Sequence, residues 1–231
     1  DLKYWLAFSQ FYKFGPIKFK KLKNYFPDLK SAYGASLKDY LLSGIEEKAA
    51  EEFIIFRHQL EPDKLLDNLA KEKISVLTVD DPAYPKLLKQ IYAPPFVLYY
   101  RGQIESFNGF LLAVVGARKF SHYGRQVTEK LVRELAFNNL TIVSGLALGI
   151  DALAHSAALE AGGKTIAVLG SGLDRQNIYP AQNRYLADKI ISSDGLVMSE
   201  YPIGTMPLKH HFPQRNRLIS GLSSATLVIE A

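Results

Sequence analysis

Residues 206–217 are the part of the chain richest in groups that recognise other molecules. Met206-Pro207-Leu208-Lys209-His210-His211-Phe212-Pro213-Gln214-Arg215-Asn216-Arg217 holds three strong cations, two histidines and one aromatic ring, with no acid. Phosphates attract cations, unpaired bases attract aromatic faces, and base edges pair with amide or guanidinium groups. The stretch therefore suits a flexible polyanion that carries bases. Phe212 offers a stacking surface, which in single-strand binders contributes about 1–3 kcal/mol per base. Two readings stand side by side. Phe212 is either a stacking ring or core. Arg215 and Arg217 are either strand contacts or buried partners of Asp151 and Glu200.

A second group lies at turns that follow apolar runs. These are Gly116-Ala117-Arg118-Lys119, Ser144-Gly145-Leu146-Ala147-Leu148-Gly149-Ile150-Asp151, Gly170-Ser171-Gly172 and Glu200-Tyr201-Pro202-Ile203-Gly204. Glycine lets backbone N–H groups approach an anion closely, and Arg118 adds a guanidinium at the same end. The natural reading is a phosphate pocket; the plain one is ordinary strand-to-helix turn glycines.

Enzyme motifs fare less well. The first turn carries Gly116 without the further glycines of a dinucleotide fingerprint. Gly162-Gly163-Lys164-Thr165 resembles part of a P-loop, but position 158 is Ala and the stretch enters a strand. Lys164 remains available as a charge or as a surface lysine. Asp151 and His155 sit at i and i+4 on one helix face, a spacing that suits an acid–base pair, half a metal site or a hydrogen-bonded helix start. His210 and His211 are adjacent rather than spaced, and the chain has no cysteine, so neither a metal site nor a thiol nucleophile is expected. Ser144 lacks a nucleophile elbow, because Ile142 stands where the first glycine belongs. No catalytic constellation emerges and no cofactor is implied.

These groups need a frame. From residue 109 on, near-continuous apolar strands over 110–116, 140–145, 164–170, 196–200 and 225–230 alternate with helices over 121–138, 150–161, 182–192 and 216–222. That alternation predicts a Rossmann-like, doubly wound α/β domain with a mainly parallel sheet, whose ligands bind beyond the carboxyl ends of the strands. Residues 74–79 and 94–102 read as strands of an edge extension. Helical spacing over 4–12, 17–26, 36–42 and 45–68 predicts a small helical domain of the SAM or helix-hairpin-helix kind. The expected division is 1–70 and 71–231. The chain stops just after a strand, where a covering helix is expected, so the carboxyl-terminal part is expected to be missing.

The 231 residues are 48% hydrophobic and 22% charged, enough for a core and too apolar for wholesale disorder. The net charge of +5 fits a nucleic-acid partner without demanding one. Residues 1–40 carry eight Lys and three acids. Gly15-Pro16 followed by a lysine-rich helix could grip a phosphate, or the lysines could simply solvate a helix face. No apolar run reaches membrane-spanning length and no secretory signal opens the chain, so a cytoplasmic protein away from membranes is expected.

Taken together, Gly116-Ala117-Arg118, Ser144 through Asp151 as quoted above, Ala154-His155, Gly163-Lys164-Thr165-Ile166-Ala167-Val168-Leu169-Gly170, Tyr179-Pro180, Ser199-Glu200-Tyr201 and Phe212-Pro213-Gln214-Arg215-Asn216-Arg217 resemble the DNA-processing protein A (DprA/Smf) family. The match is dense over 110–231 and looser over Asp81-Pro82, Tyr84-Pro85 and Pro95. The resemblance implies a cytoplasmic, non-enzymatic protein of natural transformation and competence. Such a protein binds and protects incoming single-stranded DNA, helps load RecA recombinase onto it, and works as a homodimer when full-length. It further implies DNA contacts at Gly116, Ala117, Arg118, Ser144, Gly145, Gly149, Lys164, Gly170, Ser171, Lys209, Phe212, Arg215, Asn216 and Arg217. Arg118 would hold a phosphate, Lys209 and Phe212 would line the strand's path, and Arg215 and Arg217 would extend the basic surface or brace its loop. The rival is a nucleotide phosphoribohydrolase on a related scaffold, whose Pro-Gly-Gly-x-Gly-Thr turn is absent here.

Overall fold

A computed structural model of the chain describes residues 1–230. It divides into two compact units, Asp1–Asp81 with Tyr92–Leu98, and Pro82–Ile91 with Tyr99–Ala231. The expected boundary at residue 70 falls inside the first unit.

The first unit is helical. Its helices are α1 (Leu2–Ser9), α2 (Pro16–Tyr25), α3 (Leu29–Gly34), α4 (Leu37–Leu42), α5 (Glu47–Arg57) and α6 (Pro62–Lys71), followed by β1 (Ser75–Thr78). The starts of α2, α3, α4 and α6 have local causes. Pro16 and Pro62 occupy first-turn positions, where their fixed φ is helical and no N–H is missed. Asp28 accepts from the Ser31 N–H at 2.7 Å, and Ser36 with Asp39 forms a capping box. Pro62 also splits the single helix expected over 45–68, because a proline cannot continue the preceding helix. The short α3 was not anticipated.

The core of this unit is aromatic. Phe8, Phe14, Phe19, Tyr40 and Phe53 are fully buried, and Phe8 stacks on Phe53 at 5.1 Å between centroids. The Tyr40 hydroxyl donates to the Ala32 carbonyl at 2.6 Å, and burial pushes this phenol up to about 12. The basic excess of residues 1–40 meets acids from later in the chain. Lys3 pairs with Asp63, Lys13 with Glu52, Lys18 with Glu46 and Lys23 with Asp80, while Lys21 donates to the Gly44 carbonyl at 2.8 Å.

The second unit contains α7 (Lys86–Lys89) and most of β2 (Val97–Gly102), then β3 (Leu111–Gly116), α8 (His122–Phe137), β4 (Thr141–Ser144), α9 (Ile150–Glu160) and β5 (Thr165–Leu169). It continues with α10 (Arg184–Ser192), β6 (Leu196–Ser199), α11 (His211–Leu222) and β7 (Ala225–Ile229). Its strands stand in the order β2-β6-β5-β4-β3-β7. All neighbours are parallel except β2 and β6, where Tyr99 faces Ser199. The expected doubly wound α/β architecture is therefore present.

Strands β4 and β5 are buried along their whole length, as a sheet covered on both faces requires. The chain steps from β3 through β4 and β5 to β6 in one direction, and right-handed crossovers put α8, α9 and α10 on one face. It then returns past β3 to β7, so α11 covers the other face against β3, β4 and β5. The carboxyl ends of β3 and β7 are thus the switch point of the sheet, where this fold opens a crevice.

Candidate nucleic-acid interface

A cavity of about 450 Å³ opens at that switch point. Its wall includes Gly116 at the end of β3 and Arg118 just beyond it, Ala147 in the turn before α9 and Asp151 in its first turn, Thr226 of β7, and Phe212, Arg215, Asn216 and Arg217 of α11. Three guanidinium groups face one carboxylate among these described lining residues.

The wall depends on where α11 begins. Sequence reasoning placed residues 206–215 in a loop and started the helix at Asn216. The helix instead starts at His211, with Pro213 in its first turn, where a proline costs no hydrogen bond. His211 and Arg215, one turn apart, consequently face the sheet together, and both are buried. The His211 Nδ1 lies 3.2 Å from the Gly170 carbonyl, and its ring stacks on Tyr201 at 4.1 Å. Burial and neighbouring His210 hold this imidazole below its usual range.

Arg215 is an internal brace. Its Nη1 donates to the Gly145 carbonyl at 2.8 Å and also to the Val168 carbonyl. Asp151 mirrors it, its Oδ2 accepting from the N–H groups of Gly145 at 3.0 Å and Ala147 at 3.4 Å. The two side chains meet at Gly145, where a Cβ would stand 2.5 Å from Arg215 Nη2 and 2.7 Å from Asp151 Oδ2. Burial raises the Asp151 carboxyl, with the Arg215 charge and the backbone amides opposing it. Burial pulls Arg215 down to about 10, which leaves it charged at neutral pH. Arg217 is half-buried and pairs with Glu200, whose carboxyl burial raises. Of the ion-pair alternative for these arginines, the structure has the Arg217–Glu200 pair, while Arg215 is buried and donates to backbone carbonyls with Asp151 across Gly145.

Arg118 differs from them. It is exposed, makes no ion pair among the described residues, and is close enough to Arg215 for their charges to repel. Its position is held by Gly149, whose φ of +87° favours glycine and where a Cβ would lie 2.3 Å from the Ala117 carbonyl. That carbonyl accepts the Ile150 N–H at 3.1 Å, joining the β3 turn to the start of α9.

The remaining expected contacts divide. Phe212 is half-buried on the cavity wall and Asn216 is exposed there. Ser144 and Ser171 are buried: the Ser144 hydroxyl donates to the Val114 carbonyl at 2.7 Å, and the Ser171 carbonyl accepts from Ser199 at 2.7 Å. Lys209 is exposed in the turn before α11, outside the cavity wall but at the same edge of the sheet. Lys164 is not brought to the site. It precedes the first residue of β5 and so lies at the amino edge, about 15 Å of strand away from the carboxyl edge. Sequence reasoning missed Thr226 and Ser220 on the wall, because β7 and the second half of α11 read as plain core. It also missed Tyr179, whose ring lies 5.6 Å from that of Phe212. Among the described residues no cluster has the makings of a metal site, and no helix is long and apolar enough to cross a membrane.

Residues 75–231 match the family model described as DNA recombination-mediator protein A. Protein Smf of Synechocystis is 44% identical over 235 residues, covering 99% of this chain and 58% of that protein. DNA processing protein DprA of Streptococcus pneumoniae is 48% identical over 166 residues, covering 71% of this chain and 57% of its own length. The chain thus spans little more than half of these curated relatives. Among solved structures, DprA of S. pneumoniae superposes with a TM-score of 0.80 at 36% identity, over 99% of this chain and 78% of that one. DNA processing protein A of Helicobacter pylori, described for its single-stranded DNA binding mode, gives 0.60 at 36% identity, over 68% of each chain.

Proposed function

The chain belongs to the DNA recombination-mediator protein A family, and from that premise we propose that it binds single-stranded DNA across the carboxyl edge of its sheet. One observation carries the reading. The cavity at the switch point presents a guanidinium, Arg118, that no protein carboxylate neutralises among the described residues, next to an aromatic ring and an exposed amide. A phosphate takes the place of the missing carboxylate, Phe212 and Asn216 line the strand's path, and Lys209 extends the positive path. Gly116, Ala117, Gly145, Gly149 and Gly170 shape the turns around that phosphate. Arg215 supports α11 from within.

The protein is a binder rather than an enzyme in this reading. The one carboxylate among the described lining residues, Asp151, has Oδ2 engaged by two backbone amides and so is a fixture of the turn. Protection of incoming strands in natural transformation, loading of RecA, dimerisation of the full-length protein and a cytoplasmic location are the wider roles that family membership brings to this proposal.

Fluorescence anisotropy with matched single- and double-stranded oligonucleotides tests it. The expected result is preference for single strands, with affinity that falls steeply as salt rises, because bound phosphates release counterions. Equal affinity for duplex, or no binding at low salt, overturns it.

A further inference from the structure

Phe212 is poorly placed to be the outer stacking ring. One flank packs on Gly170, where a Cβ would stand 3.0 Å from the Phe212 Cδ1, and its ring contacts that of Tyr179 at 5.6 Å and a 44° tilt. Tyr179 itself is 54% exposed. Other exposed rings occur, but Phe110 and Phe137 lie at the amino edge of the sheet, and Tyr123 and Tyr185, in the first turns of α8 and α10, make no ring contact among the described residues, while Tyr179 touches a ring of the cavity wall.

The segment that carries Tyr179 is firmly tied. The Asp174 Oδ1 accepts from the Gly204 N–H at 2.8 Å, and the Arg184 Nε donates to the Ile178 carbonyl at 3.2 Å. The Asn183 side chain donates to the carbonyls of Leu146 at 2.8 Å and Ala147 at 3.1 Å, fastening the segment to the turn after β4. The Tyr179 hydroxyl makes no hydrogen bond among the described residues, so the ring is positioned by this backbone and by Phe212. A pre-positioned aromatic face loses little conformational freedom when a flat partner settles on it.

Resting on the reading that a single strand crosses this edge, we infer that Tyr179 is a base-stacking platform, with Phe212 as the ring that sets its tilt. Arg118 holds a phosphate on the cavity side, and the strand passes over Phe212 so that a base lies on the outward face of Tyr179. Every base has a π-face, so the contact adds affinity without sequence preference.

The test compares two oligonucleotides of equal length, oligothymidine and an abasic strand with the same phosphates. Tyr179→Ala and Tyr179→Leu should each weaken oligothymidine binding on the order of tenfold, while Tyr179→Phe keeps it, because stacking needs the ring and not the hydroxyl. All three should bind the abasic strand like the parent. Phe137→Ala, which removes an exposed ring at the far end of α8, should change neither. A 2-aminopurine placed in the oligothymidine should be quenched by the parent and by Tyr179→Phe, and less by Tyr179→Leu. Unchanged oligothymidine affinity in Tyr179→Leu overturns the inference, as does an equal loss on both strands. If the parent binds the abasic strand and oligothymidine equally, stacking fails while the phosphate reading survives. If it binds neither, both readings fall.

Discussion

Arg215→Met is the most searching perturbation of the site. The substitution keeps an unbranched apolar stem and removes the guanidinium with its charge. The structure assigns the guanidinium to the carbonyls of Gly145 and Val168 and sets it across Gly145 from Asp151. The substitution removes charge-assisted hydrogen bonds and leaves the buried Asp151 carboxylate without its counter-charge. Losing one partner of a buried charged arrangement costs about 3–5 kcal/mol. For a domain of this size each kcal/mol lowers the melting temperature by about 2–4 °C, so a fall of about 6–20 °C is expected by circular dichroism. Adding Asp151→Asn should recover part of the loss, since it removes the stranded charge. A coupling of about 0.5–3 kcal/mol is expected between the two sites. The slope of strand affinity against salt should not move, because a brace makes no phosphate contact. A protein that melts within about 2 °C of the parent yet has a shallower salt slope would refute the brace and return Arg215 to the DNA surface.

Two further outcomes follow from the same geometry. Arg118→Ala should leave the melting temperature unchanged, because the side chain is exposed, while weakening all single strands alike and reducing the salt slope by about 1 in a titration series. The buried His155 makes stability depend on pH. Its imidazole is lowered to about 3, first by burial and then by Arg215, and its Nε2 has no hydrogen-bond partner among the described residues. Below pH 6.5 the unfolded chain binds the proton and the folded chain does not, so stability falls by about 1.4 kcal/mol per pH unit on descending from 6.5 toward 3. Asp151 and Glu200 are raised and act in the opposite sense as they protonate. The difference between parent and His155→Gln in urea denaturation at pH 7.0, 6.0 and 5.0 isolates the histidine, and a constant difference across that range would contradict the assignment.

Much of this frame can be read from the residues. Long apolar runs separated by helical periodicity specify β3 to β6 because a sheet covered on both faces has no polar side, and the run over 225–230 marks β7 although Ala225, Thr226 and Val228 are exposed. The turn glycines mark the binding edge because strand polarity puts every such turn at the same end. What escaped depends on partners far away in the chain. Lys3 and Asp63 are sixty residues apart, so the local basic excess could not be seen to be answered. Pro213 reads as a break until its place in the first turn is known, and without that place the inward direction of His211 and Arg215 cannot be assigned. Lys164 follows a glycine pair at the end of a helix and stands in a run that carries the family resemblance, although it enters its strand from the opposite side. Tyr179 gave one signal, the Tyr179-Pro180 pair, but its value lies in a contact with Phe212 across more than thirty residues.

Helix α11 turns two faces to two different tasks within its first two turns: His211 and Arg215 lock inward, while Phe212 and Asn216 follow them by a single step each. One residue on an α-helix is about 100° of rotation. A single insertion between 212 and 215 would therefore swing the bracing guanidinium outward and bury whatever took its place. An insertion upstream, between Thr205 and Leu208, would leave the phase of the helix and the bond from Gly204 to Asp174 untouched. Length variation in descendants of this sequence is consequently permitted on one side of His211 and forbidden on the other.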